Sequence, residues 1–154
     1  MKAVLPIGLL FLLFLSACGV STQSASQLRT ERTSRKQKLM QAYRHWEGTP
    51  YRMGGTDTLG VDCSSFVQQV FENRFDMELP RLTGRQMRAG YGIRRAALTT
   101  GDLVFFHTGR KVLHVGIVLN HNEFLHASTS EGVVITRLDN GYWAPRYIAA
   151  RRVF

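Results

Sequence analysis

The sequence predicts an α+β domain in which helices come first and an antiparallel sheet follows. Three observations predict it. Apolar residues recur at helical spacing between residues 35 and 75. Four short β-prone runs crowd the chain after Gly101. Tight-turn residues separate those runs, so neighbouring strands pair antiparallel.

Composition bounds the reading. The chain has 154 residues, 44% hydrophobic and 20% charged, which fits a packed core and excludes wholesale disorder. Two cysteines are too few for a disulfide scaffold or a four-cysteine zinc site. Lys+Arg 20 against Asp+Glu 11 gives +9, a balance that favours anionic partners.

Residues 1–17 read as a signal segment. Met1-Lys2 is followed by an apolar run, Val4 to Leu15, whose 12 residues are too few to span a bilayer. Leu15-Ser16-Ala17-Cys18 resembles the lipobox of bacterial lipoproteins, which implies cleavage before Cys18 and acylation of its thiol and amine. Two or more acyl chains anchor stably. The mature charge is then 19 − 11 = +8. Gly19 in place of an aspartate implies the outer membrane, facing the periplasm, and export argues against nucleic acid as a partner. Residues 18–33 are expected to be a lipidated cysteine and a flexible polar tether, with Arg29, Arg32, Arg35, Lys36 and Lys38 as a solvated basic stretch.

Residues 34–154 form the remaining domain. A helix is expected from Arg35 to Glu47, with Leu39, Tyr43 and Trp46 as its apolar stripe and Gly48 as its stop. Thr49 to Gly55 reads as a loop. The clearest helix follows Asp62, a good N-cap, and buries Phe66, Val67, Val70 and Phe71. Leu79-Pro80-Arg81 breaks it, and Thr83 to Ala89 adds a short helix closed by Gly90. Strands are expected at 103–106, 113–119, 124–127 and 133–136.

Three residues stand out chemically. Cys63 falls at a helix N-terminus, where N–H groups and the dipole favour a thiolate near neutral pH. His114 opens one strand pattern and His126 closes the next. Paired through Asn120-His121-Asn122, these strands put both histidines on one face, with Gly116 leaving space for a groove. A thiolate, a base and a group orienting that base are the parts of a cysteine hydrolase. The same residues also read as a small buried thiol and hydrogen-bonded core histidines, or as three zinc ligands. His45, His107 and His121 look like surface residues.

Five motifs in order carry a resemblance: 60–67 (Gly-Val-Asp-Cys-Ser-Ser-Phe-Val), Leu79-Pro80-Arg81, 101–106 (Gly-Asp-Leu-Val-Phe-Phe), His114-Val115-Gly116-Ile117 and 124–128 (Phe-Leu-His-Ala-Ser). With Trp46 to Tyr51 as an entry loop, residues 39–152 resemble the NlpC family of cell-wall cysteine peptidases. The resemblance implies a papain-like fold, with the nucleophile helix packed on the antiparallel sheet. It implies Cys63 as nucleophile, His114 as base and His126 as the residue orienting His114. Tyr51 would help the Cys63 N–H hold the oxyanion. Asp62 and Ser64 would line the groove, and Asp62 reads equally as a helix cap. Ser65 stands where many members have glycine, which would narrow the groove. The implied substrate is an amide of peptidoglycan stem peptides, γ-D-glutamyl–diaminopimelate or the D-alanyl–diaminopimelate cross-link. No metal or cofactor is called for, and a monomer is expected. A non-catalytic wall-binding lipoprotein and an acyl transferase are the rival readings.

Overall fold

The protein is described by a computed structural model over residues 19–154, with side chains from residue 23. The signal segment and Cys18 lie outside the described residues. Residues up to Glu31 form one unit and Arg32–Phe154 another.

The first helix, α1, runs Gly19–Trp46, where the sequence placed its start at Arg35 and a coil before it. The difference has a local cause. Beyond Gly19 the segment holds no glycine or proline to break a helix, and good helix formers (Gln23, Ala25, Gln27, Leu28, Arg29, Glu31 and Arg32) are interspersed among its Ser and Thr residues. Residues 23–31 expose every side chain, so no apolar stripe marks this part. In the second unit α1 turns amphipathic, and Leu39, Ala42 and Trp46 enter the core.

A small hairpin follows, β1 (Thr56–Asp57) and β2 (Gly60–Val61). Then come α2 (Cys63–Phe75), α3 (Thr83–Gln86) and β3 (Tyr91–Gly92). Asp62 caps α2, its side chain accepting from the Ser65 N–H. Asp76 ends the helix in the left-handed region, at φ 53°. The remaining strands are β4 (Leu103–Gly109), β5 (Val112–Asn120), β6 (Glu123–Ser128), β7 (Gly132–Arg137) and β8 (Tyr147–Arg152).

The main sheet has the order β3-β8-β4-β5-β6-β7, and each neighbouring pair is antiparallel. Its two faces are both covered. Leu103, Phe105, Val115, Ile117 and Leu125 pack with α1 and α2. Val104, Phe106, Val118 and Phe124 pack with Leu138 and Trp143 on the other side. This two-sided burial explains why Leu103 to Phe106 is a continuous apolar run rather than an alternating one.

Candidate active site

The site is built around the start of α2. Cys63 is its first residue and is 5% exposed. The Cys63 N–H has no backbone acceptor among the described residues, as expected for the first turn of a helix. Thr83, opening α3, brings its hydroxyl to 3.8 Å from the thiol sulfur. The Val115 and Ser64 N–H groups also point at the sulfur.

Asp62 organises this entrance. Its Oδ1 accepts from the Ser65 N–H at 2.8 Å, the Ser64 hydroxyl at 2.9 Å and Arg81 Nη1 at 3.0 Å. Its Oδ2 accepts from the Gly54 N–H at 3.0 Å and Arg81 Nη2 at 2.5 Å. Burial acts to raise the Asp62 carboxyl, but the Arg81 fork and the Ser65 and Ser64 donors outweigh it and hold the carboxyl below its usual range. Asp62 is therefore cap and hub at once, and its oxygens are fully engaged. Ser64 is buried and joins the same network, accepting from Arg81 at 3.0 Å.

Tyr51 arrives beside Val61 through a backbone bridge, with Val61 N–H donating to the Pro50 carbonyl at 3.0 Å. Burial, with the Cys63 and Asp62 charges nearby, pushes the Tyr51 phenol up to about 12. It stays a hydrogen-bond donor throughout the neutral range.

Strand alternation puts the histidines together as the pattern predicts. His114 Nε2 lies 2.9 Å from His126 Nδ1, and His126 Nε2 lies 3.0 Å from the Thr136 hydroxyl. The Trp143 ring packs against both, with centroids 4.9 and 4.8 Å away. With Nε2–H of His114 donated to His126, and Nε2–H of His126 donated to Thr136, Nδ1 of His114 is left as the basic nitrogen. Burial pushes His114 down to about 4. Burial, together with His114, pushes His126 well below its ordinary value.

Three expectations are corrected here. The Cys63 thiol is pushed up by burial, which outweighs its N–H and Thr83 partners, and Asp62 adds to the rise. Burial likewise holds His114 below its ordinary value, so in both groups it favours the neutral form over the charged one. Gly116 does not open a groove. A Cβ there would lie 2.5 Å from Phe124 Cδ2 and 3.1 Å from His126 Cβ, so the missing side chain makes room for those two residues. Ser65 is fully buried and does not narrow the entrance.

His45, His107 and His121 are exposed. Among the described residues, no group of three or more His, Cys, Asp or Glu is arranged to hold a metal ion. The sequence reading missed Arg81, Thr83, Thr136 and Trp143. Arg81 was seen as part of the Leu79-Pro80-Arg81 motif, a helix break and one of the five resemblance motifs, but was given no role, and nothing local distinguishes the other three. Beyond His114, a cavity of about 460 Å³ is lined by Thr108, Ser130, Glu131, Thr136, Tyr142 and His114 among others.

A cysteine at the head of a helix, packed on an antiparallel sheet that carries paired histidines, defines a papain-like α+β domain of the cysteine-peptidase type. The chain belongs to the NlpC/P60 family, whose model matches residues 48–152. It is 48% identical over 118 residues to the Escherichia coli protein named murein DD-endopeptidase MepS/murein LD-carboxypeptidase, covering 77% of this chain and 63% of that one. It is 51% identical over 110 residues to the probable endopeptidase NlpC of Escherichia coli, covering 70% and 71%. Among solved structures, an NlpC/P60 family protein from Bacillus cereus aligns with TM-score 0.69 at 28% identity, covering 77% of this chain and 40% of that one. The NlpC/P60 domain of the peptidoglycan hydrolase SagA aligns with TM-score 0.63 at 28% identity, covering 75% and 95%.

Proposed function

We propose that this protein is a cysteine endopeptidase that hydrolyses amide bonds in bacterial peptidoglycan stem peptides. The observation that carries the reading is the His114–His126 pair at 2.9 Å across β5 and β6, with the N–H of Val115, next to His114 on β5, directed at the Cys63 sulfur. Names of relatives that act on murein support the substrate class.

The chemistry follows from the residues. A peptide seated against the thiol lets Sγ–H of Cys63 pass its proton to Nδ1 of His114. The thiolate adds to the carbonyl carbon, and the oxyanion takes hydrogen bonds from the Cys63 N–H and the Tyr51 hydroxyl. As the C–N bond breaks, His114 returns the proton to the leaving amine. Water, deprotonated by His114, then cleaves the thioester and restores the thiol. His126 and Thr136 fix the His114 tautomer through both half-reactions.

Anchoring through acylated Cys18, a position at the outer membrane facing the periplasm and a monomeric state complete the proposal. The lipobox-like 15–18 segment and Gly19 support the first two. Among the described residues, no helix is long and apolar enough to cross a membrane. Incubating the chain with purified cross-linked and linear muropeptides, followed by mass spectrometry, tests the function. Hydrolysed stem peptides from the native chain and none from Cys63→Ala are expected. Bound but intact muropeptides would favour a wall-binding protein, and transfer to an added amine in preference to water would favour an acyl transferase.

A further inference from the structure

The place of the leaving residue follows from proton transfer. His114 returns a proton to the leaving amine, so the residue carrying that amine sits against His114. A cavity of about 460 Å³ opens there, and His114 forms part of its lining. Trp143, whose ring packs on His114 with centroids 4.9 Å apart, belongs to the same lining. So does Thr136, whose hydroxyl lies 3.0 Å from His126 Nε2. The volume accepts an extended amino-acid side chain.

The chemistry of this cavity runs against that of the chain. Lys+Arg outnumber Asp+Glu by 20 to 11, yet the lining holds no lysine or arginine and one carboxylate, Glu131. The rest of its polar surface is hydroxyls and the Asn140 amide. Arg137 and Arg146, from the same stretch of chain, are turned to other partners. Arg137 forks onto Asp139, and Arg146 lies over the Tyr142 ring and donates to the Tyr142 carbonyl at 2.7 Å. Among the described residues, nothing donates to the Glu131 carboxylate or pairs with it.

The backbone fixes where Glu131 stands. Its N–H donates to the Ser128 hydroxyl at 3.3 Å, closing the turn between β6 and β7. Gly132, at φ 74°, packs so tightly on the Thr49 carbonyl that no Cβ fits between them. The Val133 N–H donates to that same carbonyl at 3.0 Å. The turn that carries Glu131 is thus clamped to the loop that leads into Tyr51.

We propose that this cavity is the leaving-side subsite, and that Glu131 receives a free ammonium at the far end of the leaving residue's side chain. The inference rests on the reading of Cys63 as an amide-cleaving nucleophile with His114 as its base. It also chooses between the two candidate bonds. At a γ-D-glutamyl–diaminopimelate bond, the leaving residue is attached through one amine and carries its second as a free ammonium beside a carboxylate. Glu131 meets that ammonium, and the hydroxyls and the Asn140 amide donate to the carboxylate. At the D-alanyl–diaminopimelate cross-link, the other amine is already acylated within its own stem, so Glu131 has no ammonium to meet. The preferred substrate is therefore a stem whose diaminopimelate is not cross-linked.

The test uses the full chain and synthetic peptides identical up to the γ-D-glutamyl carbonyl. The leaving residue is diaminopimelate with its far amine free, the same residue with that amine acetylated, lysine, which keeps only the ammonium, or norleucine, which has neither charge. A cross-linked dimer is the fifth substrate. Acetylation is expected to lower kcat/KM by about fivefold, the upper end for a solvent-accessible ion pair. Lysine should keep most of the rate, and norleucine should fall with the acetylated peptide. Glu131→Gln should lose the same factor on the free-amine peptide and nothing further on the acetylated one. Equal rates for native enzyme on free and acetylated peptides would overturn the inference alone. So would cleavage confined to the cross-linked dimer, or a Glu131→Gln loss of equal size on both peptides, which is the mark of a merely structural residue. Cleavage of none of the five substrates would overturn the hydrolase reading and the inference with it. If Glu131→Gln does not fold, the native enzyme's discrimination between free and acetylated amine still decides.

Discussion

Replacing Asp62 with alanine removes three supports at once, besides the acceptor of the Ser64 hydroxyl. The first turn of α2 loses its cap on the Ser65 N–H, a change worth about 1 kcal/mol. The Gly54 N–H loses its acceptor, costing about 1 kcal/mol more. Arg81 loses its partner, and because its side chain is one-third exposed that loss is discounted for solvent to about 1 kcal/mol. The total is about 3 kcal/mol, which for a domain of this size lowers Tm by about 10 °C. Asp62→Asn keeps a cap acceptor and the side-chain volume but not the charge, so it should lose about half as much. The pH dependence has a definite sign. The folded carboxyl lies below its unfolded value near 3.9, so its contribution is present above that value and lost as pH falls through the folded one. The assay is thermal and urea unfolding of the native chain and both variants at pH 6 and pH 3. The stability gap between native protein and Asp62→Ala should narrow at pH 3. A loss below about 1 kcal/mol at pH 6, or a gap unchanged at pH 3, would refute the cap-and-hub account.

The remaining predictions concern the sheet and the site. Gly116→Ala should destabilise by about 1–3 kcal/mol by overpacking against Phe124 and His126, read as a lower urea midpoint with unchanged slope. His126→Asn should keep measurable muropeptide cleavage through an acceptor towards His114, whereas His126→Ala loses much more; equal activity in both variants and native protein would remove His126 from the mechanism. With the thiol raised and His114 near 4, iodoacetamide should label Cys63 no faster at pH 6 than it labels a free cysteine peptide. Hydrolysis should hold on the acid side until pH approaches about 4, where His114 gains a proton and can no longer accept one from the thiol. Cys18→Ala should release the protein from the membrane fraction without unfolding it, and retention after a high-salt wash would show that acylation is not the anchor.

Much of the fold was legible because burial wrote a period into the chain. The apolar face of α2, its Asp62 cap and the turn residues between β4 and β7 are local signals. Alternation along β5 and β6 was enough to bring His114 and His126 to one face. The part of α1 before Arg35 was not legible, because residues 23–31 expose every side chain and so carry no apolar period. The final strand β8 was missed because Ala149 and Ala150 carry little β signal and flanking arginines break the run; its place beside β4 is fixed by long-range pairing. The same holds for the site. Cys63, His114 and His126 announce themselves by residue type, while Arg81, Thr83 and Thr136 become meaningful only once the chain brings them to Asp62, the thiol and His126. Gly116 was seen, but its reason lay in Phe124 across the strand pair.

The central claim is that one thiol performs the reaction. The chain has two cysteines, so in Cys18→Ala the only one left is Cys63. That variant should be alkylated stepwise at pH 8, and at each step the fraction of Cys63 modified should be measured by intact mass and the remaining hydrolysis by muropeptide chromatography. Activity should fall in direct proportion to the modified fraction and reach zero when Cys63 is fully alkylated. Hydrolysis that survives complete modification of Cys63 would contradict the account.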